Sequence, residues 1–125
     1  MTKTSQVPTM QDIVARFGEL ARQEKWFEIQ DEFFSDDVES LEPAGSPYMG
    51  YAKGKAAVRK KADDFVKRIK EVHGLQTSPL VTAGNHIAVG RSMDLTVESL
   101  GRIKIDEIML YEVKDGQIIS EQFFY

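Results

Sequence analysis

The chain has no cysteine, one tryptophan, two histidines and four prolines in 125 residues. Without cysteine it can form no disulfide, thiolate nucleophile or Cys-ligated zinc. His73 and His86 are too few and too far apart for a histidine-based metal site, so no metal is expected. No run of 18 apolar residues occurs, and the N-terminal MTKTSQVPT lacks the apolar core of a signal peptide. A soluble cytoplasmic protein with no membrane partner is the expectation. Positive charge is also short. Sixteen Lys and Arg stand against 20 Asp and Glu, and the net charge of −4 argues against nucleic acid and acidic membranes as partners. The lysine clusters sit beside Glu and Asp and read as a solvated helix face. No phosphate loop, dinucleotide glycine signature, nucleophile elbow or HExxH occurs, and no cofactor is expected. There is no internal repeat.

What is present suits one domain. Hydrophobic residues at 42% can build a core and charged residues at 29% a soluble surface. Residues 1–8 are polar and end in Pro8, which predicts a flexible tail before a domain over 9–125. Thr9 is a good N-cap, with Asp12 three residues on. Ile13, Phe17, Leu20 and Ala21 then mark one helical face to about Glu24. A second short helix is expected over Trp26 to Phe34, broken by Ser35-Asp36-Asp37. Val38 to Glu42 and Tyr48 to Lys53 read as short strands separated by the Pro43–Pro47 loop. A third helix is expected from Lys55 to Val72, with Val58, Ala62, Phe65, Ile69 and Val72 in one stripe and Gly74 as its stop.

From Leu75 the period changes to two. Leu75 to Val81 and Ile87 to Glu98 are expected strands around an Ala83-Gly84-Asn85 turn. Arg102 to Tyr125 reads as a long hairpin. Ile103, Ile105, Met109, Tyr111 and Val113 share a face, Asp115-Gly116 supplies the turn, and Gln117 to Tyr125 returns. Helices first and strands last predict an α+β fold: three helices in the N-terminal half on one face of a mainly antiparallel sheet, with room for a cavity under its bend.

Chemistry centres on Glu107, which interrupts that apolar face. A carboxyl group in an apolar site has its pKa raised by desolvation and can stay protonated as a donor. Alternatively it pairs with a cation, and Arg91 is the candidate, sharing its face with Ile87, Val89, Met93 and Leu95. Such a pair would keep Glu107 ionised. Glu42, just before Pro43, could reach a substrate proton as general base, or be a solvated surface residue. Glu121 shares a face with Ile119, Phe123 and Tyr125 and is a third candidate. Asp94 falls on the face opposite Arg91. The hydroxyls of Tyr48, Tyr51, Tyr111 and Tyr125 could orient a ligand. His73 reads as a helix-end residue and His86 as part of a turn.

Three stretches carry a resemblance. They are ARFGEL with FFSDDVESLEPAGSP, GKAAV at Gly54–Val58, and DEIMLYEVKDGQIISEQFF at Asp106–Phe124. Together the chain resembles nuclear-transport-factor-2-like domains of the SnoaL-like kind, the superfamily that also holds ketosteroid isomerase. The resemblance implies a cone: a strongly bent sheet wrapped over three helices, with a deep pocket at one end. It also implies a homodimer through the outer sheet face, where Ile108 and Leu110 lie. Glu42 falls where ketosteroid isomerase has its general-base aspartate, directly before a proline. Glu107 falls near the oxyanion-hole aspartic acid if one residue is inserted before Asp115. Phe17 stands at the oxyanion-hole tyrosine position, so that hydroxyl is missing. Limonene-epoxide hydrolase relatives use an Arg and acids to activate water, but their spacing does not match Arg91–Asp94 without a bulge.

The candidate site is therefore Glu42, Glu107 and Arg91 as catalytic groups. Its expected walls are Phe17, Trp26, Phe33, Phe65, Met93 and Met109, with Glu121, Phe123 and Tyr125. Three functions remain open because this fold hosts all of them. The first is binding of a small apolar or amphipathic molecule. The second is acid–base catalysis of the isomerase or cyclase type with Glu42 as base and Glu107 as acid, or epoxide-hydrolase-like water addition using Arg91 and Glu107. The third is a dimerisation module without a ligand.

Overall fold

The computed structural model describes residues 7–125. Most of the expected tail lies outside the described residues, but Val7 and Pro8 lie against Gly116 of the last hairpin. Helix α1 spans Met10–Arg22. Its start is fixed by a reciprocal cap: the Asp12 amide donates to Thr9 Oγ1 at 3.1 Å and the Thr9 amide to Asp12 Oδ2 at 3.3 Å. Ile13, Phe17, Leu20 and Ala21 are buried along one face. Helix α2 spans Trp26–Phe33 and passes directly into strand β1, Phe34–Leu41. Ser35-Asp36-Asp37 thus lies inside a strand, where the pairing register shifts between Phe34 and Glu39. Strand β2 is only Ala52–Lys53, and helix α3 spans Lys55–Arg68.

The end of α3 differs from expectation. Ile69 is extended at φ −72°, ψ 120°, and strand β3 runs Ile69–Thr77, taking the residues read as a last helical turn. Val72 pairs with Leu95 and Gly74 with Asp94, so Gly74 is a strand residue beside a bulge and no helix stop. Pairing with a long neighbouring strand overrides a helical stripe that β-branched Ile69 and Val72 support only weakly. His73 therefore sits in a strand, its Nε2 at 2.7 Å from Thr96 Oγ1.

Strand β4 is Val81–Ala83, β5 is His86–Val97, β6 is Gly101–Lys114 and β7 is Gln117–Phe124. His86 is the first residue of β5 and pairs with Ala83. Asp115 (φ 52°) and Gly116 (φ 78°) both adopt the left-handed conformation that a two-residue hairpin turn demands. The sheet order is β2-β1-β7-β6-β5-β3, with β4 also on β5. β1 and β7 are parallel, and the other pairs are antiparallel. Three helices and a curved, mainly antiparallel sheet form the α+β cone that the resemblance implied. No helix among the described residues is long and apolar enough to cross a membrane.

The core has two parts. One packs Ile13, Phe17, Leu20, Ile29 and Phe33 against Ile87, Val89, Met109, Tyr111 and Ile118. The other holds Phe65, Met93, Leu95, Val97 and Ile105. Along β5 and β6 the inward residues change from one part to the other at Arg91 and Glu107, which are direct cross-strand partners. The break in the core is where the cavity forms.

Candidate functional site

A cavity of about 340 Å³ lies between the helices and the sheet. Trp26 and Phe27 of α2, Phe65 of α3, Met93 and Leu95 of β5 and Ile105 of β6 form its apolar walls. Tyr48, Tyr111, Phe123 and Tyr125 add aromatic surface. This volume suits a small organic molecule.

Glu107 projects into this cavity from β6 because the period of two continues from Ile105 to Met109 without a bulge. It is 9% exposed and accepts no hydrogen bond from the described residues. Burial raises its pKa to about 7, opposed by Arg91 across the strand and reinforced by Glu42 and Glu121. Arg91 does not bond to it. Its Nε and Nη2 donate to Glu24 Oε1 at 3.0 and 2.6 Å, and Nη1 meets only the Met93 sulfur at 3.0 Å. The guanidinium also lies 5.2 Å from the centre of the Trp26 ring.

Glu24 is one residue that sequence reasoning missed. It follows α1 at φ 58°, an uncommon conformation for a non-glycine residue. Burial works against its charged form, but hydrogen bonds from Thr77, Trp26 Nε1 and Arg91 outweigh it and hold the carboxyl below its ordinary pKa. Nothing in a helix-end Glu announces this, since the partners come from α2, β3 and β5.

Glu42 lies just beyond β1 and lines the cavity, with its side chain 2% exposed. Both oxygens are engaged: Lys61 Nζ donates to Oε2 at 2.9 Å and the Tyr125 hydroxyl to Oε1 at 2.6 Å. Lys61, read as part of a solvated helix face, instead turns inward from α3 and also donates to the Gly50 carbonyl. Glu121 of β7 is buried, with Oε2 accepting from Ser40 at 2.7 Å. Burial raises its pKa to about 7, while the Ser40 bond and Lys61 draw it down. Burial and the Glu42 contact both push the Tyr125 phenol up.

Trp26, Phe65, Met93, Phe123, Tyr125 and Glu121 thus share one cavity with Glu42, Glu107 and Arg91. Phe17, Phe33 and Met109 do not line it; they belong to the first part of the core. Phe17 is 0% exposed and meets Trp26 and Tyr111 edge-on at 6.2 and 4.9 Å. The neighbours it packs between fill the space a pocket wall would need. Tyr111, buried and facing the cavity, offers its hydroxyl only to the Met109 sulfur at 3.6 Å. Tyr51 points elsewhere, donating to Glu39 at 2.6 Å. Asp94 faces outward and pairs with Arg102 at 3.0 Å.

The profile of the SnoaL-like domain matches residues 8–125. The chain belongs to the SnoaL-like family. A solved protein of Mesorhizobium loti, described as a proposed SnoaL-like polyketide cyclase, is 32% identical over 94% of this chain and all of its own, with a TM-score of 0.86. A nuclear-transport-factor-2-like protein of unknown function from Burkholderia pseudomallei is 18% identical, covering 93% and 89% of the two chains at a TM-score of 0.70. A hypothetical Catenulispora acidiphila protein with a ketosteroid isomerase-like fold, in complex with trimethylamine, is 16% identical. The coverage there is 96% and 87% and the TM-score 0.64. The last two likenesses show the fold alone. No curated protein matches the chain. In this SnoaL-like chain, five glutamates and two cations meet around one cavity, although few of them are neighbours in sequence.

Proposed function

We propose that this SnoaL-like protein binds a small amphipathic molecule in the cavity between α2, α3 and the sheet. The observation that carries this reading is the unpartnered Glu107 on the wall of a ligand-sized space with aromatic and aliphatic walls. A buried polar group without a partner costs free energy that a ligand can recover. A cavity that served only as packing space would be filled by Trp26, Met93 and Phe123, and here those three side chains line an open volume instead. The test is a ligand screen read by Trp26 fluorescence, since the only tryptophan lies on the cavity wall. Ligands should shift its emission in the wild type and fail to do so in Ala62→Phe, where the added ring fills the space. Equal response in both would place binding elsewhere.

Acid–base catalysis is the second reading, favoured by Glu107's pKa of about 7, which suits proton exchange near neutral pH. The assignment of roles then shifts. Glu42 would have to give up Lys61 or Tyr125 before acting as base, whereas Glu107 has no partner to lose. Water addition by Arg91 and Glu107 is less well supported, because Arg91 is committed to Glu24. A β,γ-unsaturated ketone assay on wild type, Glu42→Gln and Glu107→Gln separates these roles. Turnover lost only in Glu107→Gln supports the revised assignment, and turnover in none removes isomerisation.

The proposed assembly is a homodimer through the outer sheet face. Ile108 (55% exposed) and Phe124 (46% exposed) are cross-strand partners on that face, an apolar pair left in water by the single chain.

A further inference from the structure

The polar groups on the cavity wall are unevenly matched. Five carboxyl groups line it, on Glu24, Glu28, Glu42, Glu107 and Glu121, against two cations, Lys61 and Arg91. Both cations are already spent, Lys61 on Glu42 at 2.9 Å and Arg91 on Glu24 at 2.6 Å. Glu107 is left with no hydrogen bond, and of the Glu121 oxygens only Oε2 has a donor, from Ser40. Gln30 of α2 also lines the cavity and is 6% exposed, and its Oε1, itself sealed from solvent, has no hydrogen-bond partner. The surplus on the wall is therefore of acceptors, several of them anionic. The donors with weak partners are Arg91 Nη1 and the Tyr111 hydroxyl, each facing a methionine sulfur. An anionic ligand would gain those two donors but would sit among carboxyl groups that outnumber the cations.

We propose that the ligand of this cavity is a protonated amine on an apolar body, its ammonium N–H groups donating to the Glu107 carboxylate. The assignment rests on the small-molecule reading above and narrows it to a charge class. It follows from two general rules: buried charges are paired, and buried acceptors take donors. The aromatic walls supply faces for the body of such a ligand and favour the cation itself.

The proposal has a sign in pH. Glu107 faces Arg91 on β5, Glu42 beyond β1, Glu121 on β7, Lys61 on α3, Glu24 after α1 and the phenols of Tyr111 and Tyr125. With burial and these neighbours its pKa is about 7, so at pH 6 it is mostly protonated and at pH 8 mostly ionised. A cation must displace that proton at the lower pH, and its affinity rises with pH. A neutral carbonyl ligand, accepting from protonated Glu107, would bind more weakly as pH rises.

The experiment uses three probes with one phenylethyl body: 2-phenylethylamine, 2-phenylethanol and 3-phenylpropanoate. Binding to the whole protein is read by calorimetry and Trp26 emission at pH 6 and 8, where the amine stays protonated. The expected result is amine affinity at least tenfold above the alcohol at pH 8, falling about tenfold at pH 6 as a single carboxylate of pKa about 7 takes up its proton. In Glu107→Gln the amine should fall to the level of the alcohol and lose its pH dependence. Unchanged alcohol binding there shows that the pocket is intact. Tighter binding of alcohol or acid, or amine binding that strengthens toward pH 6, overturns the charge assignment while leaving the pocket reading standing. No binding of any probe at millimolar concentration overturns both.

Discussion

Arg91 and Glu107 stand directly opposite each other on β5 and β6, yet the Arg91 guanidinium turns away to Glu24. A cross-strand Arg–Glu pair is the arrangement that the strand pattern alone favours. Glu24 prevails because Thr77 and Trp26 also donate to it, so its charge is stabilised from three elements at once. Glu107 is left as an acid in an apolar wall, affected by Arg91 only through space.

Glu24→Gln should release Arg91 toward Glu107. The Glu107 pKa should then fall well below about 7, toward or under the ordinary carboxyl value, as a direct cation replaces a distant one. The same change removes a half-buried ion pair and should cost about 1–3 kcal/mol of stability. A carboxyl-detected NMR titration of the variant checks the first effect and urea unfolding the second.

Stability should fall on the alkaline side. Glu107 and Glu121 each have a folded pKa of about 7 against 4.5 for an ordinary glutamate. The folded state therefore holds protons that the unfolded chain releases. Their contribution is full below the unfolded value and is lost as pH rises through about 7, on the order of 3 kcal/mol for each group. Glu24, held below its ordinary pKa, acts oppositely and weakens the fold only in acid. Thermal melts from pH 5 to 8 should show a declining Tm in the wild type and a flatter profile in Glu107→Gln.

Lys61→Met should be strongly destabilising. It strips the cation from a Glu42 side chain that is 2% exposed, leaving Tyr125 as its remaining side-chain donor. Removing one partner of a buried pair costs about 3–5 kcal/mol, and the Tyr125 bond offsets part of it. The double variant Lys61→Met with Glu42→Gln should recover part of the loss, because no buried charge is then orphaned. Chemical denaturation of both measures it.

Ile108→Glu should yield a monomer. The substitution places a charge on the outer sheet face beside Phe124, at a residue that does not line the cavity. Sedimentation velocity should show the wild type as a dimer and the variant at half its mass, with ligand binding retained.

Much of the architecture was legible because local signals agreed. The Thr9–Asp12 cap, the alternation through β5 and β6 and the Asp115-Gly116 turn each specify their structure over a few residues. The end of α3 was not legible, since Ile69 and Val72 satisfy a helical stripe and a strand equally and only pairing with β5 decides. Glu107 was visible as a polar break in an apolar period. Glu24 and Lys61 were not, because a helix-end glutamate and a lysine on a charged helix acquire their roles from partners distant in sequence. Phe17, Phe33 and Met109 show the converse limit: an inward-facing position does not tell whether the residue meets a cavity or another side chain.

The account turns on Glu107 being an unpaired acid inside the cavity. Its side-chain carboxyl titration by carbon NMR, assigned by comparison with Glu107→Gln, is the direct measurement. An inflection near pH 7 is the predicted result. An inflection in the ordinary carboxyl range, near 4.5, would mean that Glu107 is solvated or ion-paired and would contradict both the proposed site and its ligand class.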